Sequence, residues 1–303
     1  GFVIGTGIAG VIRLVMGLPY WDTDLSWSVA YPFALLGWLI GVGGWKYWAT
    51  EWFGGTAAPM SHGLKRYFEF NVDHKVIGMQ YLAVVMTSFV LAGFLALLFR
   101  AELAKPGDQY FNPQTFNVLI TNHAAVMIFA VIIPGFAALG NFVIPLMIGA
   151  ADMAFPKLNA LSYWLLPIAG ITFLAGMVAP GGGPSAGWTC YAPLCAHQPM
   201  GNIFFNMAVQ WGGASSIMTA LNFLVTIIYE RAPGMTWSRM PIFVWGAFSA
   251  SLISFFFTQA LAAALLMVLL DRVAGMSFFR TSEGGIPILY EHIFWFYSHP
   301  AVY

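Results

Sequence analysis

Residues 76–99 read V-I-G-M-Q-Y-L-A-V-V-M-T-S-F-V-L-A-G-F-L-A-L-L-F, without a single charged side chain. A helix needs about 20 apolar residues to cross the ~30 Å hydrocarbon core of a bilayer. Backbone N–H and C=O groups find no water in that core, so a spanning segment must pair them internally, as a helix does. The stretch therefore predicts a transmembrane helix.

The rest of the chain repeats this pattern. Of its 303 residues, 59% are hydrophobic and 8% are charged, whereas a soluble domain has roughly 25% charged residues. The apolar runs lack the polar–apolar alternation of a transmembrane β-strand. The predicted fold class is therefore all-α, a polytopic transmembrane helix bundle of about seven or eight helices. The further long uncharged runs lie near 26–45, 118–148, 161–179, 203–228 and 241–270.

The two terminal segments are less regular. Residues 2–19 are apolar but are interrupted by Arg13, so this segment either spans the bilayer or lies at its interface. A last apolar run opens at Ile286 and stops at Tyr303. Because a helix that ended in mid-membrane would leave carbonyl groups without partners, we expect the chain to be a fragment whose last helix is truncated.

The charged residues indicate partners, domain organisation and orientation. The formal net charge is zero, which argues against a nucleic-acid partner. Local charge collects at 50–75, so residues 1–72 are predicted to be an N-terminal extension with one or two extra membrane helices. Cytoplasmic loops of membrane proteins are enriched in Lys and Arg. The loops predicted to be cytoplasmic carry Lys46, Lys65, Arg66, Lys75, Lys157, Arg231 and Arg239, and the outer loops carry Arg100, Lys105, Arg272 and Arg280.

Both cysteines, Cys190 and Cys195, fall in a loop on the predicted outer side of the membrane. A disulfide persists in an oxidising compartment of this kind. The sequence leaves two alternatives open, a disulfide or two unpaired thiols.

The six histidines divide by position. His62, His74 and His197 lie in polar segments and are predicted to be solvated surface residues. His123 and His299 lie inside apolar helices, where an ionisable group indicates a functional site by default. Imidazole is a common ligand of haem iron and copper. The alternative for either residue is a hydrogen bond to a neighbouring helix. The remaining one, His292, lies just inside the outer end of the last helix.

The last helix concentrates polar and aromatic residues on one face. Trp295, His299 and Tyr303 follow the spacing i, i+4, i+8, which places them on the same side of a helix. Pro300 lacks a backbone N–H and is predicted to kink the helix and to free the carbonyl of Phe296. A metal ligand beside a redox-capable phenol is an arrangement suited to reducing a molecule bound at the metal.

Five motifs carry a resemblance to a known family. They are D-H-K-V-I-G (73–78), L-L-F-R-A-E-L-A-K-P-G (97–107), N-V-L-I-T-N-H-A-A-V-M-I-F (117–129), G-N-F-V-I-P-L-M-I-G-A-A-D-M-A-F-P-K-L-N (140–159) and W-F-Y-S-H-P-A-V-Y (295–303). With these motifs the chain from Asp73 to Tyr303 resembles subunit I of the haem-copper oxygen reductases, the cytochrome c oxidases, in the A-type variant that carries Y-S-H-P. The resemblance implies that 73–303 is the first half of the subunit I core, with core helices 1 to 6 and the sixth incomplete.

The resemblance implies a role for each matching residue at the metal sites. His123 would bind the iron of the low-spin haem, expected to be haem a, and Arg100 would contact a substituent of that haem. His299 would be one of three ligands of the copper ion Cu-B, with Trp295 nearby. Tyr303 would be the phenol covalently joined to a copper ligand, donating a proton and an electron in O–O cleavage. The ligand of a second, high-spin haem would lie later in the family's sequence.

The resemblance also implies a proton path and an outer cation site. Glu102 matches a position that helps to hold a cation at the outer face. Many relatives carry a glutamate where this chain has Ala301, so hydroxyl groups near His299 are expected to relay protons instead. The residues implied for the path are Asp152, Asn141 and Asn159 at its mouth, then Ser215 and Ser216, and finally Tyr297 and Ser298.

The implied function is a terminal oxidase that reduces dioxygen to water with electrons from cytochrome c, together with subunits II and III, and that translocates protons. The bilayer would be a bacterial cytoplasmic (inner) membrane. Quinol-oxidising relatives carry polar residues where this chain has Leu91, Leu95, Thr115 and Val118. Nitric oxide reductases lack the tyrosine found here at 303. The alternative functions are those of a nitric oxide reductase-like or quinol-oxidising relative. In a different class, the alternative is a transporter or a non-catalytic membrane subunit.

Overall fold

The computed structural model describes residues 1–54, 61–197 and 199–301, apart from the side chain of Glu51, and these residues contain helices and no strand. Five helices are long and apolar enough to cross a bilayer, which confirms five of the predicted spans. They are α4 (His74–Glu102), the continuous pair α5 (Pro113–Val126) and α6 (Ile133–Ile148), α7 (Pro156–Met177), α9 (Gly201–Tyr229) and α10 (Ile242–Val273). The other α-helices are α1 (Phe2–Val15), α2 (Thr23–Gly41), α3 (Trp45–Trp52), α8 (Leu194–His197) and α11 (Pro287–Ser298).

The N-terminal runs at 2–19 and near 26–45 form the helices α1 and α2, which are not among the five helices long and apolar enough to cross a bilayer. Helix α1 has 14 residues, which gives it a length of ~21 Å, shorter than the hydrocarbon core. Helix α2 has 19 residues and carries Asp24, Ser26 and Ser28 in its first two turns. The two helices pack against each other, and α2 also contacts α7 and α10.

Side-chain caps set the first residues of two long helices. The Asp73 carboxylate accepts hydrogen bonds from the backbone N–H groups of Lys75 (2.8 Å) and Val76 (3.4 Å) at the start of α4. The Asn112 side chain accepts the N–H of Thr115 (2.8 Å), and Pro113 occupies the first position of α5. Both patterns satisfy N–H groups that have no partner within a helix.

The span from α5 to α6 contains a π-helical segment, Met127–Ile132, in its middle. Pro134 follows this segment and has no N–H to give to the carbonyl one turn earlier. The wider turn accommodates that missing bond without breaking the helix, and π-helical segments are frequent beside functional residues. Here the segment follows His123 by one turn.

The spans pack most extensively in the pairs α7–α9, α9–α10 and α4–α6. Helices α4 and α6 approach closely at Gly78, where a Cβ atom would lie 3.0 Å from the Ala138 carbonyl oxygen. Small residues permit such approaches between membrane helices.

Helix α11 ends at Ser298, one turn earlier than the full apolar run suggests. The backbone N–H of His299 donates to Trp295 (3.1 Å) and that of Ala301 donates to Tyr297 (3.0 Å). Pro300, between them, offers no N–H to the Phe296 carbonyl, in agreement with the predicted role of this proline. Val302 and Tyr303 lie outside the described residues.

The loop between α7 and α9 contains a disulfide between Cys190 and Cys195, whose Cα atoms are 5.1 Å apart. This resolves the two alternatives in favour of the disulfide. Both residues are buried in one apolar cluster with Phe294 and Tyr297 of α11. The covalent loop therefore forms part of the packing around the last helix.

Candidate functional site

His123 lies on α5 with its imidazole directed at α4. Its Nδ1 atom is 2.9 Å from the Ala92 carbonyl oxygen, and its ring packs edge-on against Phe99 with the ring centres 5.3 Å apart. Because a carbonyl oxygen accepts only, Nδ1 is the donor, and a neutral imidazole held in this way presents the lone pair of Nε2. A histidine that ligates a metal almost always donates its other N–H in this way. The arrangement fits a half-buried metal ligand. It also contains the alternative predicted for His123, a hydrogen bond to a neighbouring helix, because Ala92 belongs to α4.

His299 and Trp295 lie on the exposed side of α11. The Trp295 indole Nε1 donates to the hydroxyl of Tyr191, which connects α11 to the disulfide-containing loop. Within the described residues, no group of three or more His, Cys, Asp or Glu side chains is placed to hold a metal ion. The described residues therefore contain no complete ligand group for the predicted copper ion; of the residues predicted for this site, His299 lies within them and the phenol Tyr303 lies outside them.

Arg100 and Glu102 lie at the C-terminal end of α4, which is predicted to be the outer end. Arg100 is exposed in the last turn of the helix, where a cation complements the helix dipole. Glu102 is buried, and its carboxylate accepts the backbone N–H groups of Gln109 (2.7 Å), Tyr110 (2.7 Å) and Phe111 (3.1 Å). These bonds shape the loop from α4 to α5, while the cation role of Glu102 stays a prediction.

Asp152 lies in the loop between α6 and α7, beside the start of α4. Its carboxylate accepts the N–H of Met153 at 2.7 Å and also a backbone N–H from His74. Burial raises the pKa of the Asp152 carboxyl, and the nearby His74 and Asp73 act on it in opposite directions. A carboxyl with a raised pKa at the end of a helix bundle is suited to taking up and releasing a proton.

His74 was predicted to be a solvated surface residue, and this prediction is wrong. Its side chain is 4% exposed, and Nδ1 lies 2.7 Å from the Asn141 backbone oxygen. The local sequence is polar, but α4 begins against α6, so the first turn of α4 is covered. His62 and His197 are exposed, as predicted.

Asn141 and Asn159 meet between α6 and α7, next to the His74 side chain. The Asn159 side-chain amide donates to the Asn141 side-chain oxygen at 2.6 Å, and Asn141 itself donates to the Ala137 carbonyl at 2.8 Å. Both side chains are buried. The structure thus brings together two of the residues implied for the proton path.

Hydroxyl groups continue from the asparagines toward the middle of the bundle. Ser162 donates to the Asn159 carbonyl (2.7 Å), and the Tyr81 hydroxyl donates to Ser162 (2.9 Å). The Tyr81 hydroxyl is also 3.2 Å from Ser215 and 3.3 Å from Thr219, both on α9. With Asn141 on α6, four helices, α4, α6, α7 and α9, therefore contribute to one buried chain of polar groups.

These buried polar groups lead to a cavity of about 180 Å³ between α6, α9 and α10. Tyr81 and Ala301 both line the cavity, so it connects the polar chain to the turn after α11. Tyr297 and Ser298 are buried nearby on α11. The hydroxyl-bearing lining residues are Tyr81, Ser215, Ser216, Thr219, Ser251 and Ser254.

Sequence reasoning missed several residues of the polar chain, chiefly Tyr81 and Ser162. It also missed Asn222 and Thr226, which hold the Asp152 loop: Asn222 accepts the N–H of Phe155 and Thr226 accepts that of Ala154, both at 2.9 Å. A signal for the α9 residues was present in the sequence. Polar residues recur on one face of this apolar helix at Ser215, Thr219, Asn222 and Thr226.

Comparison with known proteins matches the sequence of this chain to a family. The family described as "Cytochrome C and Quinol oxidase polypeptide I" matches residues 76–303. A protein of Thermostichus vulcanus named "Cytochrome c oxidase subunit 1" is 44% identical over 239 residues, which are 78% of this chain and 43% of that protein. Proteins of the same name from Synechocystis and Bacillus subtilis are 44% and 42% identical, over 78% and 77% of this chain.

The chain spans less than half of the length of these curated relatives, 43% in the first two cases and 37% in the third. The family match nevertheless covers all five long spans apart from the first two residues of α4. This chain belongs to the family of cytochrome c and quinol oxidase polypeptide I.

Proposed function

We propose that this integral membrane protein works as subunit I of a terminal respiratory oxidase. The oxidase would reduce dioxygen to water with electrons from cytochrome c and would couple that reaction to proton translocation. Since the chain spans less than half of the length of its relatives, the activity is proposed for the larger assembly, with subunits II and III as partners. The bacterial origin of the relatives supports a bacterial cytoplasmic membrane.

The observation that carries the proposal is the geometry of His123. Its Nδ1–H is engaged by the Ala92 carbonyl, which orients the ring and leaves Nε2 as the nitrogen able to ligate iron. Arg100, on the last turn of α4, would contact a substituent of the same haem. A low-spin haem, proposed to be haem a, would supply electron transfer at this position.

His299 and Tyr303 are proposed to serve the oxygen-reducing site. His299 would be one ligand of Cu-B, and Trp295, whose indole is held by Tyr191, would limit the movement of α11 beside it. Tyr303 would donate a proton and an electron. The high-spin haem and the copper would draw their other ligands from outside the described residues, which contain no complete ligand group.

The proton path is proposed to run from Asp152 through the buried polar chain to the cavity at Ala301. The bonds Asn159–Asn141, Tyr81–Ser162 and Tyr81–Ser215 support it. Among the described residues, Asn159 Oδ1 and Ser298 Oγ are buried without a hydrogen-bond partner, and such atoms are commonly satisfied by ordered water. With Ala301 unable to titrate, Tyr297 and Ser298 would relay protons at the end of the path.

The electron donor is proposed to be cytochrome c rather than a quinol. Leu91 and Leu95 line an apolar groove of about 340 Å³ between α4, α5 and α7. Leucine side chains offer no hydrogen bond to a quinol head group, whereas quinol-oxidising relatives carry polar residues at these positions. The apolar lining supports the proposed donor.

A reduced-minus-oxidised absorption spectrum of the assembled oxidase tests the central assignment. His123→Ala is expected to abolish the low-spin haem band, because the ring that ligates the iron is removed. The matched control His197→Ala changes an exposed histidine in the outer loop and should retain the band. A spectrum of His123→Ala that keeps the low-spin band would refute the assignment, and a parent protein without haem bands would favour a transporter or non-catalytic subunit.

A further inference from the structure

The cavity at Ala301 contains a hydroxyl group that the proposed proton path does not use. Ser251 lies on α10 and lines this cavity of about 180 Å³. Its side chain is 2% exposed. Among the described residues, its Oγ atom has no hydrogen-bond partner.

A buried hydroxyl without a partner is unfavourable, and native proteins pair such groups with protein atoms or with ordered water. A water molecule occupies ~30 Å³ in the liquid and needs two to four polar partners to be held in a cavity. The cavity is large enough for several waters. It offers partners on its opposite wall, where α9 contributes Ser215, Ser216 and Thr219.

Helix α10 carries a row of hydroxyl groups on the face that includes Ser251. Ser254 and Thr258 follow at i+3 and i+7, and their oxygens are 3.3 Å apart. Thr258 is 1% exposed and faces α9, since a Cβ atom on Gly213 would lie 3.6 Å from its methyl group. Ser254 lines the cavity together with Ser251. The row therefore lies opposite the hydroxyl groups of α9.

We infer that the cavity binds a cluster of ordered water anchored by Ser251, and that α10 supplies a second line of hydroxyl groups which relays protons toward Ala301. Each oxygen gives its proton to the next oxygen as it receives one from the oxygen before, so no side chain gains a net charge. The inference rests on the proposed proton path and deepens it by adding α10. The hydrogen-bonded connection from Tyr81 to Ser215 joins α4 and α9 without α10.

The test uses the assembled, full-length oxidase and measures proton uptake with a pH-indicator dye during a single oxidation. Ser251→Ala is expected to slow proton uptake by roughly threefold to tenfold, the factor that corresponds to losing one net hydrogen bond. Haem spectra should be unchanged. Ser251→Thr, which retains a hydroxyl, should restore the rate. The matched control Ser249→Ala lies on the exposed side of the same helix and should leave it unaltered.

A second measurement detects the water itself. Infrared difference spectra in H₂¹⁸O should contain a shifted water band in the parent and in Ser249→Ala, and the band should be lost in Ser251→Ala. Absence of a water band that depends on Ser251 would overturn the inference.

Asp152→Asn separates the inference from the proposed function. If Asp152→Asn slows proton uptake while Ser251→Ala behaves like Ser249→Ala, the path from Asp152 stands and the role of α10 is refuted. If Asp152→Asn leaves proton uptake unchanged, the proposed path itself fails, and the relay role of α10 fails with it.

Discussion

At the scale of single residues, position within the bundle changes what a side chain does. Asp152 lies in a loop, yet burial raises the pKa of its carboxyl above the usual value of ~3.9. Hydrogen bonds from the backbone of Met153 and His74 act against this shift without cancelling it. The ionised form of Asp152 therefore costs folding free energy at neutral pH.

This cost predicts a pH-dependent effect of Asp152→Asn on stability. Because the folded state binds the proton more tightly, the stability contributed by this group is present below the unfolded pKa and is lost as pH rises through the folded pKa. The variant is expected to melt at a higher temperature than the parent at pH ~7, and the difference should shrink toward pH ~4. Thermal unfolding of the purified complex at several pH values measures it.

Asp108→Asn is the control for this prediction, because Asp108 is exposed in the loop between α4 and α5. Its melting temperature should follow that of the parent at every pH. A lower melting temperature of Asp152→Asn at pH ~7 would mean that the folded state favours the carboxylate.

At the residue scale, one sequence prediction stays a prediction and another failed. His123 was predicted to be a metal ligand because an ionisable group inside an apolar helix needs a reason to be there. His74 was misjudged because its neighbours Asp73 and Lys75 are polar, and neither reveals that α6 covers the first turn of α4. The composition of a segment indicates its average exposure to water. The burial of one side chain within it depends on the tertiary contacts of that residue.

At the scale of elements, α9 combines an apolar surface with a polar row that faces α7 and the Asp152 loop. Thr226 accepts the backbone N–H of Ala154 at 2.9 Å and donates to the Asn222 carbonyl at 2.6 Å. Asn222 binds the backbone of Phe155 through both atoms of its amide. The row therefore fixes the loop that carries the proposed proton acceptor.

Thr226→Val is expected to destabilise the complex, because it keeps the side-chain shape but leaves the Ala154 N–H without its acceptor. The unfolding free energy should fall by about 1–3 kcal/mol, the cost of an unsatisfied buried donor. Thermal unfolding detects the change.

The control for Thr226→Val is Thr87→Val on α4. Thr87 is exposed, and its hydroxyl bonds only to the Ala83 carbonyl of its own helix in the part of the chain described here. The effect of Thr87→Val should be within about 0.5 kcal/mol, as for other surface substitutions. Equal effects of the two variants would show that the contact between α9 and the loop contributes nothing.

At the scale of the whole molecule, the N-terminal pair α1–α2 packs on the spans matched by the family. Tyr31 on α2 hydrogen-bonds through its hydroxyl to Thr172 on α7. Trp27 packs against Phe204 of α9, with ring centres 5.0 Å apart. Arg272 at the end of α10 binds the Asp24 carboxylate at 2.8 Å and the Pro199 carbonyl at 3.1 Å. We propose that residues 1–72 are an extension held to the core by these contacts.

Replacing one or the other member of the Arg272–Asp24 ion pair is expected to lower the unfolding free energy by unequal amounts. Asp24→Ala should cost about 0.5–1 kcal/mol, since the carboxylate is one-third exposed. Arg272→Ala should cost more, about 1–3 kcal/mol, because the Pro199 carbonyl also loses its donor. The melting temperatures of the two variants provide the comparison, with the exposed Lys105→Ala as the control. An Asp24→Ala variant that melts below Arg272→Ala would contradict this order.

The sequence by itself determined the fold class, five of the spans and the presence of a histidine within the apolar span of α5. These properties depend on the bilayer, which accepts only long apolar segments with internally paired backbones, and a run of residues reveals them directly. The tertiary structure alone decided the burial of His74, the disulfide, the chain from Asn141 to Thr219 and the cavity between α9 and α10. Each of these depends on how helices distant in sequence are rotated against one another, and side-chain packing sets that rotation.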